Sequence, residues 1–451
     1  MTQLNYAAVK DSRTADRFLR VVPLAFITYG LAYLDRVNYS SAESRLRGAL
    51  SLSTNLSSLI AALFFLGYFL FQIPGAAYAV KRNVKWLIFW ALILWGILST
   101  LTGLLNNLTL LVIDRLLLGA VEGVVLPAML IYLTRWFTKP ERSRANALLI
   151  LANPVTMATA ATLCAFLIAY FDRHPFMGLQ GWRMMFVVEG LPSIIWAVAW
   201  MFMADERPAA AAWLTAPQAA AVQGRLDAEQ QGIRHVPDYW AAFADVRVML
   251  LCGMYACFSA AGYGLMMWLP QIVEEGSKRG VAAAGLLTAT PYVLAIPSIM
   301  IVSYLADRTM NRKLFVVGSM FTGGAAFCVA YLAGREFPLV AFAGLIVVGS
   351  CIYTPCGPLW AWMADLLPRN VVGESMALVN SFGALGAFAG TWIVGWLKGL
   401  SHSTGPSFLF QAGCFATAGC LAMMVRPRPF AIGAFPVLPP QAQPLKAETA
   451  S

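Results

Sequence analysis

The sequence is poor in charge. Only 12% of its 451 residues are Asp, Glu, Lys or Arg, whereas 59% are hydrophobic. Soluble domains carry about twice that charged fraction, so the composition excludes an ordinary soluble protein. Apolar runs of about 20 residues recur along nearly the whole chain, and each is long enough to cross a hydrocarbon core about 30 Å thick. The sequence therefore predicts a polytopic protein embedded in a lipid bilayer.

Histidine is also scarce, and its distribution argues against catalysis. The three histidines, His174, His235 and His402, all fall in predicted loops. A membrane enzyme would need a histidine, cysteine or metal-binding group at membrane depth. The eight cysteines fall inside predicted spans, and none is spaced with histidine as metal sites require. We expect neither an enzyme nor a disulfide framework, and no cofactor beyond a proton as coupling ion.

The basic residues are unevenly distributed, which predicts the orientation in the membrane. Lys and Arg are concentrated in the two termini and in the loops on their side, so both termini are expected to be cytoplasmic. The net charge of +10 then reflects topology and not nucleic-acid binding. The polar start of the chain predicts no cleavable signal peptide.

Hydropathy predicts twelve spans, at about 19–42, 54–79, 86–105, 108–134, 146–170, 183–204, 248–270, 282–305, 314–333, 338–364, 376–397 and 407–425.

One long polar stretch divides these spans into six and six, which predicts an all-α membrane protein of two six-helix bundles. The basic loops "AYAVKRNVKW" and "YLADRTMNRK" occupy the same place in each half. A weak internal repeat of this kind is typical of transporters whose bundles rock around a midplane site. The predicted divisions are an N-terminal tail at 1–18, bundles at 19–204 and 248–425, an inter-bundle loop at 205–247 and a C-terminal tail at 426–451.

Most charged residues inside the predicted spans lie in the first half of the chain. Span 1 carries Asp35 and Arg36, and span 4 carries Asp114, Arg115 and Glu122. Because Arg115 and Glu122 are seven residues apart, they share one helix face. We therefore expect two cations and two carboxylates to converge between spans 1 and 4.

Two interpretations of this cluster remain open. It could be a structural ion-pair network that holds the helices together. Alternatively, the arginines bind an anionic substrate and the carboxyl groups of Asp35 and Glu122 carry protons, since ionisable residues at membrane depth usually mark a transport path. Elsewhere in the spans, Glu189 lies in span 6, and the second half has only Asp365 and Glu374 at span ends.

Seven motifs follow one another along essentially the whole chain: "YLDRVNYSSA", "RLLLGAVEGVVLPAMLIYLTRWFTKPERSRANA", "GWRMMFVVEGLPSIIWA", "DERPAAAAWLT", "YGLMMWLPQIV", "LLTATPYVLA" and "ALVNSFGALGAFAG". Together they resemble the anion:cation symporter family of the major facilitator superfamily. The resemblance implies transport of organic anions such as sugar acids, tartrate, phthalate and other aromatic acids. Bacterial members generally couple uptake to protons. The stretches "LPRNVVGESMALVNSFGALGAF" and "LANPVTM" are most similar to branches associated with 2-ketogluconate and related sugar acids.

The resemblance also implies roles for individual residues. Those implied to bind substrate are Arg36, Arg115, Tyr33, Tyr68, Asn380 and Asn153. Those implied to couple protons are Asp35 and Glu122, and Asp307 and Arg308 belong to the gating loop after span 8. The equivalent loop after span 2 departs from the family pattern, because Val80 stands where an aspartate is usual.

The resulting expectation is a monomeric, proton-coupled symporter in a bacterial inner membrane. It would import a small organic anion, a sugar acid of the aldonate or keto-aldonate type, by alternating access. Alternatives are an importer of aromatic or dicarboxylic acids, an exporter or antiporter of amphipathic compounds, and a receptor-like scaffold without transport.

Overall fold

The computed structural model describes residues 2–230, 245–277, 281–334, 336–366 and 372–426. It confirms the expected all-α membrane architecture, because twelve of the described helices are long and apolar enough to cross a membrane. We number them spans 1 to 12: Thr14–Ala49, Thr54–Lys81, Val84–Leu104, Leu108–Thr134, Arg144–Arg173, Gly181–Met203, Val246–Gly276, Ala283–Thr309, Arg312–Ala333, Pro338–Met363, Ser375–Ser401 and Gly405–Met424. Several predicted features lie outside the described residues: His235, much of the inter-bundle loop, nearly all of the C-terminal tail, and the side chains of Asp365 and Glu374.

Span 1 is longer than the hydropathy pattern predicts. It belongs to one helix, Thr2–Ala49, which includes the polar start of the chain and continues past residue 42. The polar extension at the far end carries an ion pair one helical turn apart, with 3.4 Å between Glu43 Oε1 and Arg47 Nε. A hydropathy profile ends the predicted span where the apolar residues end. The helix itself extends further, through polar residues that pair with each other.

Spans 4 and 10 are each interrupted by a break that the hydropathy pattern does not predict. Span 4 consists of Leu108–Gly123 and Val125–Thr134, and span 10 consists of Pro338–Tyr353 and Cys356–Leu366. A proline inside a helix cannot donate a hydrogen bond to the carbonyl four residues earlier, and its ring clashes with that carbonyl. Pro127 lies three residues after the break at Val124, and the break in span 10 contains Pro355 with Pro358 three residues later, so prolines lie at both interruptions.

The spans pack as two groups of six. In the first half, span 2 packs on span 4, span 3 on span 6, and span 1 on spans 5 and 6. In the second half, span 7 packs on spans 11 and 12, span 9 on spans 10 and 12, and span 8 on span 10. Spans 1, 2 and 5 of the first bundle contact spans 7, 11 and 8 of the second. We call the side on which span 1 begins and span 12 ends the terminal face, and the opposite side the distal face.

Close contacts join the two bundles near the distal face. The Arg45 guanidinium lies 3.3 Å from the Glu274 carboxylate, measured from Nη2 to Oε1. The Trp392 indole N–H donates to Asn55 Oδ1 at 3.0 Å. A methyl group at Gly285 of span 8 would lie 3.0 Å from a span 5 carbonyl oxygen, so the backbones approach closely. The interface between the bundles is therefore closed at the distal face.

At the terminal face, the start of the inter-bundle segment is bound to the first bundle. Glu206 accepts hydrogen bonds from the backbone N–H groups of Val84 and Lys85 at 3.0 and 2.8 Å, and it pairs with Arg135. A carboxylate at the first turn of a helix is stabilised by the exposed N–H groups and the positive end of the helix dipole. Glu206 thus fixes this segment to the start of span 3 and the end of span 4.

Spans 2 and 4 are in backbone contact at Gly119. A Cβ atom there would collide with the Phe64 carbonyl oxygen, and one at Gly123 would lie 2.7 Å from the Tyr68 carbonyl oxygen. Small residues at such crossings allow two membrane helices to approach closely. This crossing fixes the position of span 4, and therefore of Arg115 and Glu122, against span 2.

Replacing Gly119 with alanine should destabilise the protein by about 1–3 kcal/mol, the usual cost of overpacking, because backbone atoms cannot move aside as a flexible side chain would. Gly318→Ala is the matched control, since a Cβ at that span 9 position meets nothing within 4 Å. Thermal unfolding in detergent compares the two variants. Equal melting temperatures would contradict the close packing at Gly119.

Candidate functional site

Arg36 connects three spans at the interface between the bundles. Its Nε lies 3.4 Å from Glu122 Oε2 of span 4, and its Nη1 donates to the Tyr263 hydroxyl of span 7 at 3.1 Å. The exposed fraction is 7% for the Arg36 side chain and 0% for that of Glu122. The structure therefore brings together two of the residues that the sequence predicted to meet, and it adds a tyrosine from the opposite bundle.

Aromatic rings surround the same guanidinium. The Arg36 Cζ atom lies 4.4 Å from the ring centroid of Tyr33, 5.1 Å from that of Tyr68 and 5.6 Å from that of Phe64. Each ring face attracts a cation, and the attraction is stronger where water is excluded. Tyr33 and Tyr68 lie beside Arg36, so the structure gathers both predicted tyrosines around the predicted anion-binding group.

Arg115 lies deeper in the first bundle. Its Nη2 lies 3.5 Å from Asp114 Oδ2 and contacts the Thr102 hydroxyl, and its Cζ lies 5.0 Å from the Tyr39 ring centroid. The sequence predicted both arginines at the substrate. Although Arg115 shares a helix face with Glu122, seven residues of helix separate them by about 10 Å along the axis. This separation along the helix axis places Arg115 closer to the distal face than Glu122, among side chains of its own bundle.

Asp35 is buried beside this second arginine. Its Oδ1 accepts a hydrogen bond from Asn38 Nδ2 at 2.6 Å and another from the Ser99 hydroxyl. Its Oδ2 has no hydrogen-bond partner among the described residues, and the same is true of Glu122 Oε1. Both predicted proton carriers therefore have one buried oxygen that is free to bind a proton.

The two predicted asparagines lie on spans that contact the opposite bundle. The Tyr353 hydroxyl donates to Asn153 Oδ1 at 3.2 Å, joining span 10 to span 5. Asn380 is half-buried in span 11, and its neighbour Ser381 donates to Gln72 Oε1 of span 2 at 3.3 Å. Both predicted asparagines thus lie on spans that contact the opposite bundle, where a rocking motion would change their surroundings.

The two basic loops differ in how their charges are paired. Asp307 Oδ1 lies 3.2 Å from Arg312 Nη2 of the same bundle, and Arg308 is exposed. Near Val80, the guanidinium of Arg135 donates to the backbone carbonyl of Ala79 at 3.0 Å. Arg135 also pairs with Glu206, as described above. Arg135, which lies near Val80, is therefore paired with a carboxylate of the inter-bundle segment.

Several polar neighbours of the site were not singled out from the sequence. Asn38 could have been found, because it lies one helical turn after Asp35 on the same side of span 1. Ser99 and Thr102 are ordinary residues of span 3 whose spacing carries no signal. Within the described part of the chain, no group of His, Cys, Asp or Glu side chains is arranged to hold a metal ion.

Known proteins resemble this chain over most of its length. A "Putative tartrate transporter" of Agrobacterium vitis is 31% identical over 408 residues, covering 90% of this chain and 89% of that protein. A "Quinolone resistance transporter" of Acinetobacter baumannii is 27% identical, with 84% and 87% covered. A "Probable L-galactonate transporter" of Escherichia coli K12 is 22% identical, with 88% and 87% covered. All three are named as transporters and none as an enzyme.

The fold is shared with solved transporter structures. A bacterial homologue of the human lysosomal transporter Spinster, in an inward-facing and occupied conformation, superimposes with a TM-score of 0.73 at 15% identity, covering 90% of this chain and 96% of that one. The sequence profile of the Major Facilitator Superfamily matches residues 25–391. The chain therefore belongs to the Major Facilitator Superfamily and is a multi-pass membrane transporter.

Proposed function

We propose that the protein imports a small organic anion together with protons. The observation that carries this proposal is the buried guanidinium of Arg36, which faces the opposite bundle and is paired with Glu122. A purely structural ion pair would have no need of a partner on the opposite bundle, whereas Arg36 also donates to Tyr263 there. The names of two relatives, a tartrate and an L-galactonate transporter, support an organic acid as substrate.

The proposed mechanism is an exchange of partners at Arg36. In the empty site, the Glu122 carboxylate neutralises the guanidinium. A substrate carboxylate replaces it in a fork geometry that suits guanidinium groups. Glu122, having lost its cation, then takes a proton, and Asp35 takes a proton beside Arg115. Once these charges are neutralised, the rocking of the bundles can change the face from which the site is accessible.

Hydroxyl groups around Arg36 support a hydroxylated acid, such as an aldonate or keto-aldonate. The hydroxyl of Tyr33 lies 3.3 Å from that of Tyr29 and 3.5 Å from that of Tyr263. Tyr68 contributes a further hydroxyl near the same guanidinium. A site built to hydrogen-bond substrate hydroxyls discriminates strongly against analogues without them, because its buried polar groups are left unpaired. A plain aromatic acid would satisfy fewer of these tyrosines.

Replacing Tyr68 with phenylalanine should weaken binding of hydroxylated acids by about 1 kcal/mol, roughly fivefold, which is the usual net contribution of one hydrogen bond. Binding of acids without hydroxyls should change little, because the ring that faces Arg36 is retained. Titration with matched pairs of hydroxylated and plain acids measures the difference. Equal loss for both classes would assign Tyr68 to packing.

The distal face is proposed to be the periplasmic one, with both termini in the cytoplasm of a bacterial cell.

Uptake into proteoliposomes under an imposed pH gradient tests the whole proposal, with sugar acids, tartrate and aromatic acids as substrates. Acid-driven accumulation of a sugar acid is expected. The named quinolone resistance of one relative makes an exporter the second candidate, and drug-driven proton release would favour it. Binding without any transport would favour a receptor-like scaffold.

A further inference from the structure

Glu189 of span 6 is a buried carboxyl group that the mechanism above does not use. Its exposed fraction is 3%. Its Oε1 accepts a hydrogen bond from the Cys164 thiol of span 5 at 3.1 Å, and its Oε2 has no hydrogen-bond partner among the described residues. A carboxylate without a cation at membrane depth is costly, and such groups are usually functional.

On one side, Glu189 is linked to the proposed site through an amide. The Asn38 side chain lies beside the Glu189 carboxyl group, and its Nδ2 donates to Asp35 Oδ1 at 2.6 Å. The Asn38 oxygen has no hydrogen-bond partner among the described residues, and neither does Asp35 Oδ2. Asn38 therefore separates two carboxyl groups, each of which has one oxygen without a partner.

On the other side, polar groups lead from Glu189 towards the distal face. Cys164 lies beside Ser41, and Ser41 lines a cavity of about 20 Å³ between the two bundles. A cavity needs about 10–15 Å³ to hold one water molecule, provided that polar groups line it. Glu274 lines the same cavity and pairs with Arg45 near the distal face, with 32% of its side chain exposed.

We propose that Glu189 takes up protons from the distal face through the Ser41 cavity and delivers them to Asp35. This inference rests on the proposed proton coupling. In the delivery step, the O–H bond of Glu189 breaks and one forms on Asp35, once the Asn38 amide has turned aside. Glu189 is then reprotonated in a concerted chain: the Cys164 S–H bond breaks as its proton moves to Glu189, the Ser41 hydroxyl gives its proton to the sulfur, and distal water in the cavity restores the hydroxyl.

This route has a clear physical advantage. The distal face is closed by contacts between the bundles, so bulk water does not reach Asp35 through the substrate cavity from that side. A proton needs only a few polar side chains and one water molecule. The titratable groups facing Glu189 are Cys164 of span 5 and Asp35 of span 1, and Asp35 in turn faces Arg115 of span 4.

The test is Glu189→Gln in proteoliposomes, because glutamine keeps the size and the hydrogen bonds but cannot carry a proton. The initial rate of acid-driven accumulation should fall by roughly tenfold or more, and its dependence on distal pH should flatten. Counterflow exchange at equal pH on both sides should stay near the wild-type rate. Glu189→Asp should restore part of the acid-driven rate.

Glu275→Gln is the control, because Glu275 is a glutamate near the distal end of span 7 whose carboxylate is half-exposed and pairs with Lys398. It should behave as wild type in both assays. Acid-driven uptake by Glu189→Gln at the wild-type rate would overturn the inference. So would an equal fall in both assays without rescue by aspartate, since a structural role predicts that pattern. Wild-type protein that exchanges substrate but ignores the pH gradient would instead overturn the proposed function, and this inference with it.

Discussion

Replacing Arg36 with lysine should strongly weaken substrate binding while leaving the protein folded and inserted. Lysine keeps the charge but is a point donor, whereas the guanidinium presents a planar fork that matches a carboxylate. Lysine also cannot reproduce the simultaneous contacts that Arg36 makes with Glu122, with Tyr263 and with three aromatic rings. We expect a loss of about 1.5–3 kcal/mol, roughly 10- to 150-fold in affinity, which is the range for hydrogen bonds to charged groups.

Arg115→Lys is the informative comparison. Its guanidinium lies among Thr102, Asp114 and Tyr39 inside the first bundle, so we expect uptake to fail but equilibrium binding to stay within a few-fold of wild type. Arg20→Lys at the terminal face should leave both unchanged. Loss of binding in both Arg36→Lys and Arg115→Lys would place both arginines on the substrate, as the sequence predicts. Wild-type affinity in Arg36→Lys would remove that residue from the site.

The architecture was largely predictable because hydropathy is a property of long segments. Twelve apolar runs require twelve helices, since a membrane leaves backbone groups no other partners. The ends and breaks of the helices were harder to predict. The extension of span 1 past residue 42 carries an ion pair between Glu43 and Arg47, and the breaks in spans 4 and 10 lie at prolines, which other spans of this chain contain without a break.

The candidate site was predictable only where its residues share a helix. The pattern placed Asp35 with Arg36 and Arg115 with Glu122, because each pair shares a helix, whereas in the structure Arg36 pairs with Glu122 and Asp35 lies beside Arg115. It could not predict which cation Glu122 contacts, since that depends on how spans 1 and 4 are displaced along their axes. The ion pair with Arg36, and the approach of Tyr263 from the opposite bundle, required the packed structure.

The packing of spans 1 and 4 also supports the proposed role of Glu122 as the proton carrier. Its Oε2 lies 3.4 Å from Arg36 Nε, and its Oε1 is buried without a hydrogen-bond partner among the described residues. Asp35 and Arg115 are close enough to act on it electrostatically. When a substrate carboxylate occupies Arg36, Glu122 loses its cation and is stabilised by a proton. By linkage, protonation of Glu122 must then favour substrate binding by the same factor.

Glutamine at this position mimics the protonated carboxyl group permanently. Glu122→Gln should therefore bind substrate and exchange it between the two sides in counterflow, because Arg36 is left free for the substrate. It should nevertheless fail to accumulate substrate against a gradient, since the proton no longer enters the cycle. Each net positive charge moved inward contributes about 2.3 kcal/mol per 100 mV, so the loss of coupling should also weaken the response to membrane potential.

Counterflow and pH-driven uptake measured in the same liposomes decide the question. Glu275→Gln is the control, because that carboxylate pairs with Lys398 near the distal face and its side chain is 51% exposed. It should retain both activities. If Glu122→Gln concentrates substrate as the wild type does, Glu122 is not the proton carrier, and Asp35→Asn becomes the decisive variant. If Glu122→Gln loses counterflow as well, the carboxylate is needed to hold Arg36 in place, and the exchange of partners at Arg36 is wrong.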